Sequence, residues 1–312
     1  MLNFDIQLEW TKRLNSGLVV REGVESDGPS FVNLYNLYYA NRQTSIDYFL
    51  WQYFKSPYDS KLWLIFDSCG LVAYCGLKIY PLNNNLTTGF VIDFLVDESY
   101  RKRGLAILLH DRILTYCKKR EVNILTALPN HYGNSAFKSL GWSTVAKIDN
   151  LQLDLKSWTE RKNSCKRLGD EHKKYIQFCR DDIYRFWRFD ENPVYEYNTI
   201  FIAENVSAVT KLYCETTGGL LYGDIVSWDV SSDSDEVVEL VDKVVLNMRS
   251  KNVEFLTCWA LPHTSLYDCL IAYGFTQIKQ ERYFCLKDIS GVNDYMFEVD
   301  KWFLVESDSE VY

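Results

Sequence analysis

The sequence has no run approaching the roughly 18 apolar residues of a membrane-spanning helix, which argues against a helical membrane protein. Its first residues, MLNFDIQLEWTKR, lack a basic start leading into an apolar stretch, so no secretory signal is expected and the expected compartment is the cytoplasm. The nine cysteines are odd in number and scattered, with no Cys-x-x-Cys pair and no zinc spacing. Neither a disulfide framework nor a metal site is therefore expected, and the thiols read as reduced, mostly buried small hydrophobes. Cations are in deficit, 34 Lys+Arg against 42 Asp+Glu, and a net charge of -8 argues against a general nucleic-acid or membrane-surface role. Apolar residues make up 47% of the chain, enough for well-packed cores. Aromatics reach 15%, with 22 tyrosines and 9 tryptophans, an excess that fills cores and also offers stacking surfaces to flat ligands. A length of 312 residues predicts two domains.

The chain repeats itself. YFLWQYFKSPY (Tyr48 to Tyr58) returns as YRFWRFDENPV (Tyr184 to Val194), with Trp51 matching Trp187 and Pro57 matching Pro193 at an offset of 136. VNILTALPN (Val122 to Asn130) is echoed by VEFLTCWALPH (Val253 to His263), and FKSLGW (Phe137 to Trp142) by LIAYGF (Leu270 to Phe275) at an offset of 133. Three matches in order, with little drift, predict a duplicated fold of about 140 residues.

In the first copy, GLVVREGV reads as a strand, and SFVNLYNLYYANR and SIDYFLWQYFKS read as helices. KLWLIF, LVAYCGLKIY and TGFVIDFLV are β-rich runs separated by the turn-forming DSCG and PLNNNLTT. Leu105, Leu108, Leu109, Ile113 and Cys117 recur at helical spacing, and the helix closes on the cations of KKR at 118–120. VNILTAL predicts a buried strand, GNSAFKSLG a short helix ended by glycine, and STVAKIDNLQLDL a final strand. The second copy reads alike from about Leu168, and the polar KSWTERKNSCKRLGDEHKK marks the boundary. The expected fold class is α+β: two tandem domains, residues 1–157 and 158–312, each a mixed, mostly antiparallel sheet flanked by helices. The tail DYMFEVDKWFLVESDSEVY is aromatic and then acidic, and is expected to pack partly across a domain before trailing off.

One stretch stands against the acidic background. SYRKRGLAILL places Arg101, Lys102 and Arg103 directly before a helix, where positive charge opposes the helix dipole. A strand ends near Val96 and the helix begins near Gly104. Free N–H groups at a helix start form an anion site, glycine admits phosphate oxygens to the backbone, small Ala106 keeps the first turn open, and the cations add charge-assisted hydrogen bonds. These are the requirements of a pyrophosphate cradle; a solvated basic cluster at a turn is the other reading of the local stretch.

Arg101-x-x-Gly104-x-Ala106 resembles the acyl-CoA pyrophosphate loop of the GNAT acyltransferase superfamily, Arg/Gln-x-x-Gly-x-Gly/Ala. The preceding DFLVDESY resembles that family's fourth strand, and Asn130, Gly141 and Trp142 stand in register with its Asn…Tyr-x-x-x-Gly-Phe signature. The resemblance covers residues 18–155. It implies that acyl-CoA is the co-substrate, that backbone groups near Leu95 and Val96 pair with the pantetheine arm, and that the loop from Arg101 through Lys102, Arg103, Gly104 and Leu105 to Ala106 holds the pyrophosphate. It further implies that Asn130 and the helix around Phe137 flank the thioester. Phe137 departs from the family's frequent tyrosine, and a phenyl ring cannot donate a proton to the leaving thiolate.

Acyl transfer to an amine needs a neutral amine on the thioester carbon and removal of one proton. Asp93 lies on the fourth-strand segment, where the family often carries an acidic residue facing the acceptor; alternation would put it on the face of Leu95 and Asp97, opposite Phe94 and Val96. Asp93 is the expected base or orienting group, against the alternative of a strand-end carboxylate paired with a cation. His131 is the second candidate base, and is otherwise a surface loop histidine.

Where the second copy should carry the loop it reads VSSDSDEVVEL, and Asp233, Asp235, Glu236 and Glu239 would repel a pyrophosphate. That half is expected not to bind CoA. Tandem GNAT-like chains with one inactive half resemble the N-acyltransferases of dTDP-3-amino-3,6-dideoxyhexoses, which take acetyl or 3-hydroxybutanoyl groups from acetyl-CoA or 3-hydroxybutanoyl-CoA for surface polysaccharide. The paired Trp…Pro elements and KWFLVESDSEVY resemble that group, and are equally explicable as core and tail packing. That resemblance implies a nucleotide-linked amino sugar as partner, whose site needs aromatic stacking for thymine, cations for the diphosphate and a wall for the hexose; Tyr80, Tyr132 and His263 are the candidates, each of which also reads as a structural residue. A monomer is expected, because the two halves can pair with each other. The alternatives are a GNAT enzyme acting on a protein lysine or small amine, an aminoacyl-tRNA-dependent peptidyltransferase, whose RNA donor would favour a basic surface, and a structural or regulatory protein, which could lose the loop.

Overall fold

Chain order does not divide this fold. In a computed structural model, one unit gathers the described residues of Met1–Thr144 and Cys285–Asn293, and the other those of Val145–Phe284 and Asp294–Tyr312. The structure describes residues 8–9, 11–12, 17–40, 42–159, 175–204, 206–214, 219–230, 234–291 and 294–309.

In the first unit, strands β1 (Val19–Glu22), β2 (Ser60–Phe66), β3 (Leu71–Pro81) and β4 (Thr87–Val96) pair antiparallel in sequence order. Helices α1 (Gly28–Tyr38) and α2 (Ile46–Tyr53) lie between β1 and β2 in the chain. Pro29 opens α1, where a missing N–H costs nothing, and the Ser45 hydroxyl caps α2 by accepting from the Tyr48 amide at 3.1 Å. Phe31 of α1 packs on Phe49 (ring centroids 5.0 Å), Tyr53 (5.7 Å) and Tyr74 of β3 (4.6 Å). Helix α3 (Leu105–Lys119) buries Leu105, Leu108, Leu109, Ile113 and Cys117, the positions its sequence period predicts, and ends on Lys118 and Lys119. The short strand β5 (Ile124–Ala127) then pairs parallel with β4, and helix α4 (His131–Ser139) follows.

The strand after α4, β6 (Ser143–Asp154), does not complete this sheet as the division at residue 157 would have it. From Val145 it belongs to the second unit, where it pairs antiparallel with β10 (Phe255–Ala260) and gives Leu151 and Leu153, with Leu155 after them, to that unit's core. The place beside β5 is taken by the last residues of β11 (Thr276–Asp288), with Cys285 opposite Ala127 and Asp288 opposite Ile124. The final strands of the two copies are exchanged. Both carry a β pattern of similar length, so either satisfies an edge, and the sequence repeat is blind to the choice.

The second unit repeats the plan. Strands β7 (Tyr197–Ala203), β8 (Val206–Cys214) and β9 (Leu221–Asp229) are antiparallel; helix α6 (Ser234–Ser250) leads to β10, which is parallel to β9. Helix α7 (Ser265–Tyr273) precedes β11. Before the sheet, the short helix α5 (Asp182–Arg185) runs into a π turn over Phe186–Asp190. Core details recur with the sequence: Trp51 and Trp187 are both buried, as are Lys78 of β3 and Lys211 of β8. The tryptophans of the Trp…Pro elements are thus core residues. Of the boundary stretch, 160–174 lie outside the described residues, and Trp158 ahead of them is buried in the second core.

The tail does not trail off within the described residues. Trp302 through Ser309 are buried in the second unit. Asp308 accepts two hydrogen bonds from the half-buried Arg180, at 2.8 and 2.6 Å, and the Ser307 and Ser309 carbonyls accept from the buried Arg188. The acidic residues that read as a solvated end are buried instead, with Asp308 paired to Arg180 and Glu306 lying 3.9 Å from the Lys211 ammonium; Glu310–Tyr312 lie outside the described residues.

Candidate active site

Strand β4 is the frame of the site. It pairs with β5 only at Thr88, Gly89 and Phe90, so beyond Phe90 its β5-side edge is open while its β3-side edge stays paired out to Val96. An open strand edge presents unpaired N–H and C=O groups to whatever extended group lies along it. Leu95 and Val96 stand on this segment, opposite Tyr74 and Ala73 of β3.

Within the same segment β4 bulges. Gly76 faces Ile92, but Tyr74 faces Leu95, so Asp93 and Phe94 together stand against Cys75. Asp93 has φ +47°, in the left-handed region. This corrects the alternation argument: the extra residue breaks the period of two, so Asp93 cannot be assigned to the Leu95 face by counting. The bulge instead turns its carboxylate to α2, where Tyr53 Oη donates to Asp93 Oδ2 at 2.6 Å. Gly76 makes room for this contact, since a Cβ there would lie 2.6 Å from the Tyr53 hydroxyl. Burial, and then the Asp93 charge, push the Tyr53 phenol well above its ordinary range, so it stays a proton-bearing donor.

The loop after β4 is built on tyrosines. Asp97 accepts from the Ser99 amide (2.9 Å) and from Tyr38 Oη (3.0 Å), which accepts in turn from the Glu98 amide (2.6 Å). Arg101 donates from Nε to the Val96 carbonyl at 3.3 Å and lies over the Tyr38 ring; Arg103 lies over the Tyr100 ring at 4.8 Å. Arg101, Lys102 and Arg103 all remain exposed. Gly104, at φ +81°, precedes α3 without a side-chain cap, and its carbonyl already accepts from the Ile107 and Leu108 amides. Among the described residues, the Leu105 and Ala106 amides donate to no backbone carbonyl. Open amides at a helix start, ringed by exposed cations, are a site for a di-anion. A Cβ on Gly104 would lie 2.6 Å from Thr11, so the position takes glycine on two grounds. The loop expected to hold CoA is thus continuous with the strand that holds Asp93, and its residues fit a pyrophosphate.

Helix α4 is fastened from two sides. Asn130 caps it, its side-chain oxygen accepting from the Gly133 amide at 2.9 Å. The exchanged end of β11 secures it further: Lys287 Nζ donates to the Leu140 and Gly141 carbonyls (3.0 and 3.2 Å), and Cys285 Sγ to buried Asn134 (3.2 Å). Phe137 is buried against Phe94 (5.7 Å, edge-on) and Trp142 (4.6 Å). His131 is exposed on the first turn, as is Tyr132 at 84%.

Two further candidates are Tyr80 and His263. Tyr80 is 2% exposed, packed against Tyr58 (4.5 Å) and Phe90, so as placed it offers no free face for thymine. Its position opposite Thr88 turns it into the aromatic core, a direction that the sequence period could not assign. His263 sits in the turn before α7, at φ +83°, in the second unit. There the first turn of α6 carries Asp235 and Glu236, with Glu239 a turn on; Asp233 lies outside the described residues. Tyr53 escaped the sequence reading, because it lies 40 residues from Asp93 in a run of aromatics that reads as core.

His110, buried on α3, accepts from Trp142 Nε1 at 3.0 Å. Burial, aided by Lys287, pulls its imidazole down to about 3. Between the unfolded value of about 6.5 and this folded value only the unfolded chain takes up the proton, so stability falls as pH drops through that window. At pH 5 the loss relative to pH 7 is about 2 kcal/mol. Urea titrations at the two pH values measure it, and His110→Gln is expected to flatten that part of the profile.

The comparisons agree with this geometry. Residues 29–142 match the profile of the Acetyltransferase (GNAT) family. No curated protein sequence matches the chain. Among solved structures, a conserved Enterococcus faecalis protein described as a probable N-acyltransferase is similar at TM-score 0.63 and 10% identity, over 88% of this chain and 73% of the other. A putative acetyltransferase from Pyrococcus horikoshii is similar at TM-score 0.60 and 13% identity, over 92% and 93%. A GCN5-related glucosamine N-acetyltransferase region of a fungal multi-domain GH3 β-N-acetylglucosaminidase is similar at 0.57 and 13%, over 86% of this chain and 38% of that one. The fold is the GNAT fold, a mixed sheet flanked by helices, and the match to that family's profile lies within the first unit, at residues 29–142. The described residues contain no group of three or more His, Cys, Asp or Glu able to hold a metal ion, and no described helix is long and apolar enough to cross a membrane.

Proposed function

We propose that the first unit moves an acetyl or 3-hydroxybutanoyl group from acyl-CoA to the amino group of a dTDP-linked amino-dideoxy sugar, for surface polysaccharide. One observation carries the acyl-transfer reading: the open edge of β4, the bulged carboxylate of Asp93 and the uncapped start of α3 follow one another within Val91–Ala106. The Leu105 and Ala106 amides, with Arg101, Lys102 and Arg103, hold the pyrophosphate. The edge near Leu95 and Val96 orients the pantetheine arm, with Asn130 and Phe137 flanking it. Asp93 orients the acceptor amine and takes its proton directly or through water. Phe137 has no proton to give, so the leaving thiolate draws one from water or another group.

The amino-sugar acceptor rests on the resemblance of the tandem chain to sugar N-acyltransferases. The glucosamine N-acetyltransferase region with a similar fold is in keeping with it. Tyr132 is exposed for stacking, whereas Tyr80 is withdrawn from the role by its burial. The second unit, with carboxylates at the start of α6, binds no CoA in this reading, and the chain acts as a monomer in the cytoplasm.

The test is thiol release with mass detection of product, over a matrix of acyl-CoAs and amino-sugar nucleotides. Turnover with a dTDP-3-amino-3,6-dideoxyhexose is the expected result. Turnover with a lysine peptide or small amine, and with no sugar nucleotide, overturns the sugar assignment.

A further inference from the structure

We propose that Tyr53 is the positioning residue for Asp93: its hydroxyl, lodged over Gly76, holds one carboxylate oxygen and so fixes how the bulged side chain meets the acceptor. This rests on the reading of Asp93 as the acceptor-side base. Three observations support it. The hydrogen bond is short, 2.6 Å, and its donor is buried. The strand opposite yields space for it, because only glycine at position 76 leaves the hydroxyl where it is. The carboxylate sits on a left-handed bulge residue, a conformation that needs tertiary support to persist.

Two buried phenols flank the bulge, and they differ in a useful way. Tyr74, opposite Leu95, is fully buried, yet among the described residues its hydroxyl has no hydrogen-bond partner. Its hydroxyl does not orient the carboxylate through a direct hydrogen bond. Removing a partnered donor costs the interaction, whereas removing an unpartnered buried hydroxyl is neutral or favourable. Tyr74→Phe is therefore a control matched to Tyr53→Phe in chemistry and burial.

The first measurement, a titration, needs no acceptor. The carboxyl carbons of aspartate are labelled with 13C, the Asp93 signal is identified by its loss in Asp93→Asn, and its titration is followed in the full-length chain. A hydrogen bond to the ionised form favours that form, so Tyr53→Phe is expected to move the Asp93 titration to higher pH, and Tyr74→Phe to leave it in place or shift it less. In thiol-release assays with acetyl-CoA and a dTDP-3-amino-3,6-dideoxyhexose, Tyr53→Phe lowers kcat on the order of 10- to 100-fold without raising the KM for acetyl-CoA. The acidic limb of its rate profile moves with the titration. An Asp93 titration unmoved by Tyr53→Phe overturns the positioning role. Turnover unmoved by Asp93→Asn overturns instead the reading of Asp93 on which it rests, so the two failures are told apart.

Discussion

Asp93→Asn is expected to slow acyl transfer by about 10²- to 10⁴-fold, the usual contribution of a positioned base, while acyl-CoA affinity stays within about twofold. The substitution is unusually clean. Asp93 stands at φ +47°, and asparagine tolerates the left-handed region, so the bulge keeps its shape. The amide oxygen can still accept from Tyr53 Oη, so the side chain keeps its anchor. What is lost is the negative charge and the capacity to take a proton. Phe137 cannot compensate, having no ionisable group. Single-turnover thiol release measures the chemical step, and calorimetric titration with CoA measures binding. Unchanged turnover would remove Asp93 from the mechanism and leave His131, exposed on the first turn of α4, as the candidate base.

Gly104→Val is expected to weaken CoA binding 100-fold or more. A β-branched residue at φ +81° is strained by about 1–3 kcal/mol, and its Cβ would meet Thr11 at 2.6 Å. The backbone must leave the left-handed region to escape both, and it takes the Leu105 and Ala106 amides with it. Each hydrogen bond to a charged oxygen is worth about 1.5–3 kcal/mol, so losing those of both amides costs about 3–6 kcal/mol, more than a hundredfold. Calorimetry with CoA checks the affinity, and circular dichroism checks that α3 survives. Affinity within about threefold of the parent would move the pyrophosphate site elsewhere. Lys102→Ala and Arg103→Ala are the milder companions, since they remove charge while leaving the amides in place.

Much of this was legible before any coordinates. The five positions that the helical period picks out on α3, Leu105, Leu108, Leu109, Ile113 and Cys117, are all buried, because a period of 3.6 has one solution on a helix packed against a sheet. The candidate phosphate loop was legible because it is local: strand end, cations, glycine and helix start lie within consecutive residues. Asp93 was found through its place on the fourth strand, but its direction was not, since one inserted residue undoes an argument from alternation. Tyr53 and Tyr80 show the same limit from opposite sides. Both are tyrosines among aromatics; one holds the candidate base and the other fills the core, and nothing in their neighbours distinguishes them.

The sequence by itself determined the duplication, the mixed α+β class, the helix faces and the asymmetry of the two loops, basic at Arg101–Arg103 and acidic at Asp235–Glu239. These are properties of short segments, set by periodicity, turn chemistry and local charge. Tertiary structure alone decided which final strand closes which sheet, how the bulge turns Asp93 to Tyr53, and that Asp308 of the acidic tail is buried against Arg180. The reason is physical. Two strands of equivalent pattern satisfy a sheet edge equally well, a bulge depends on what its strand must reach, and a carboxylate reads as solvated until a buried cation is found beside it.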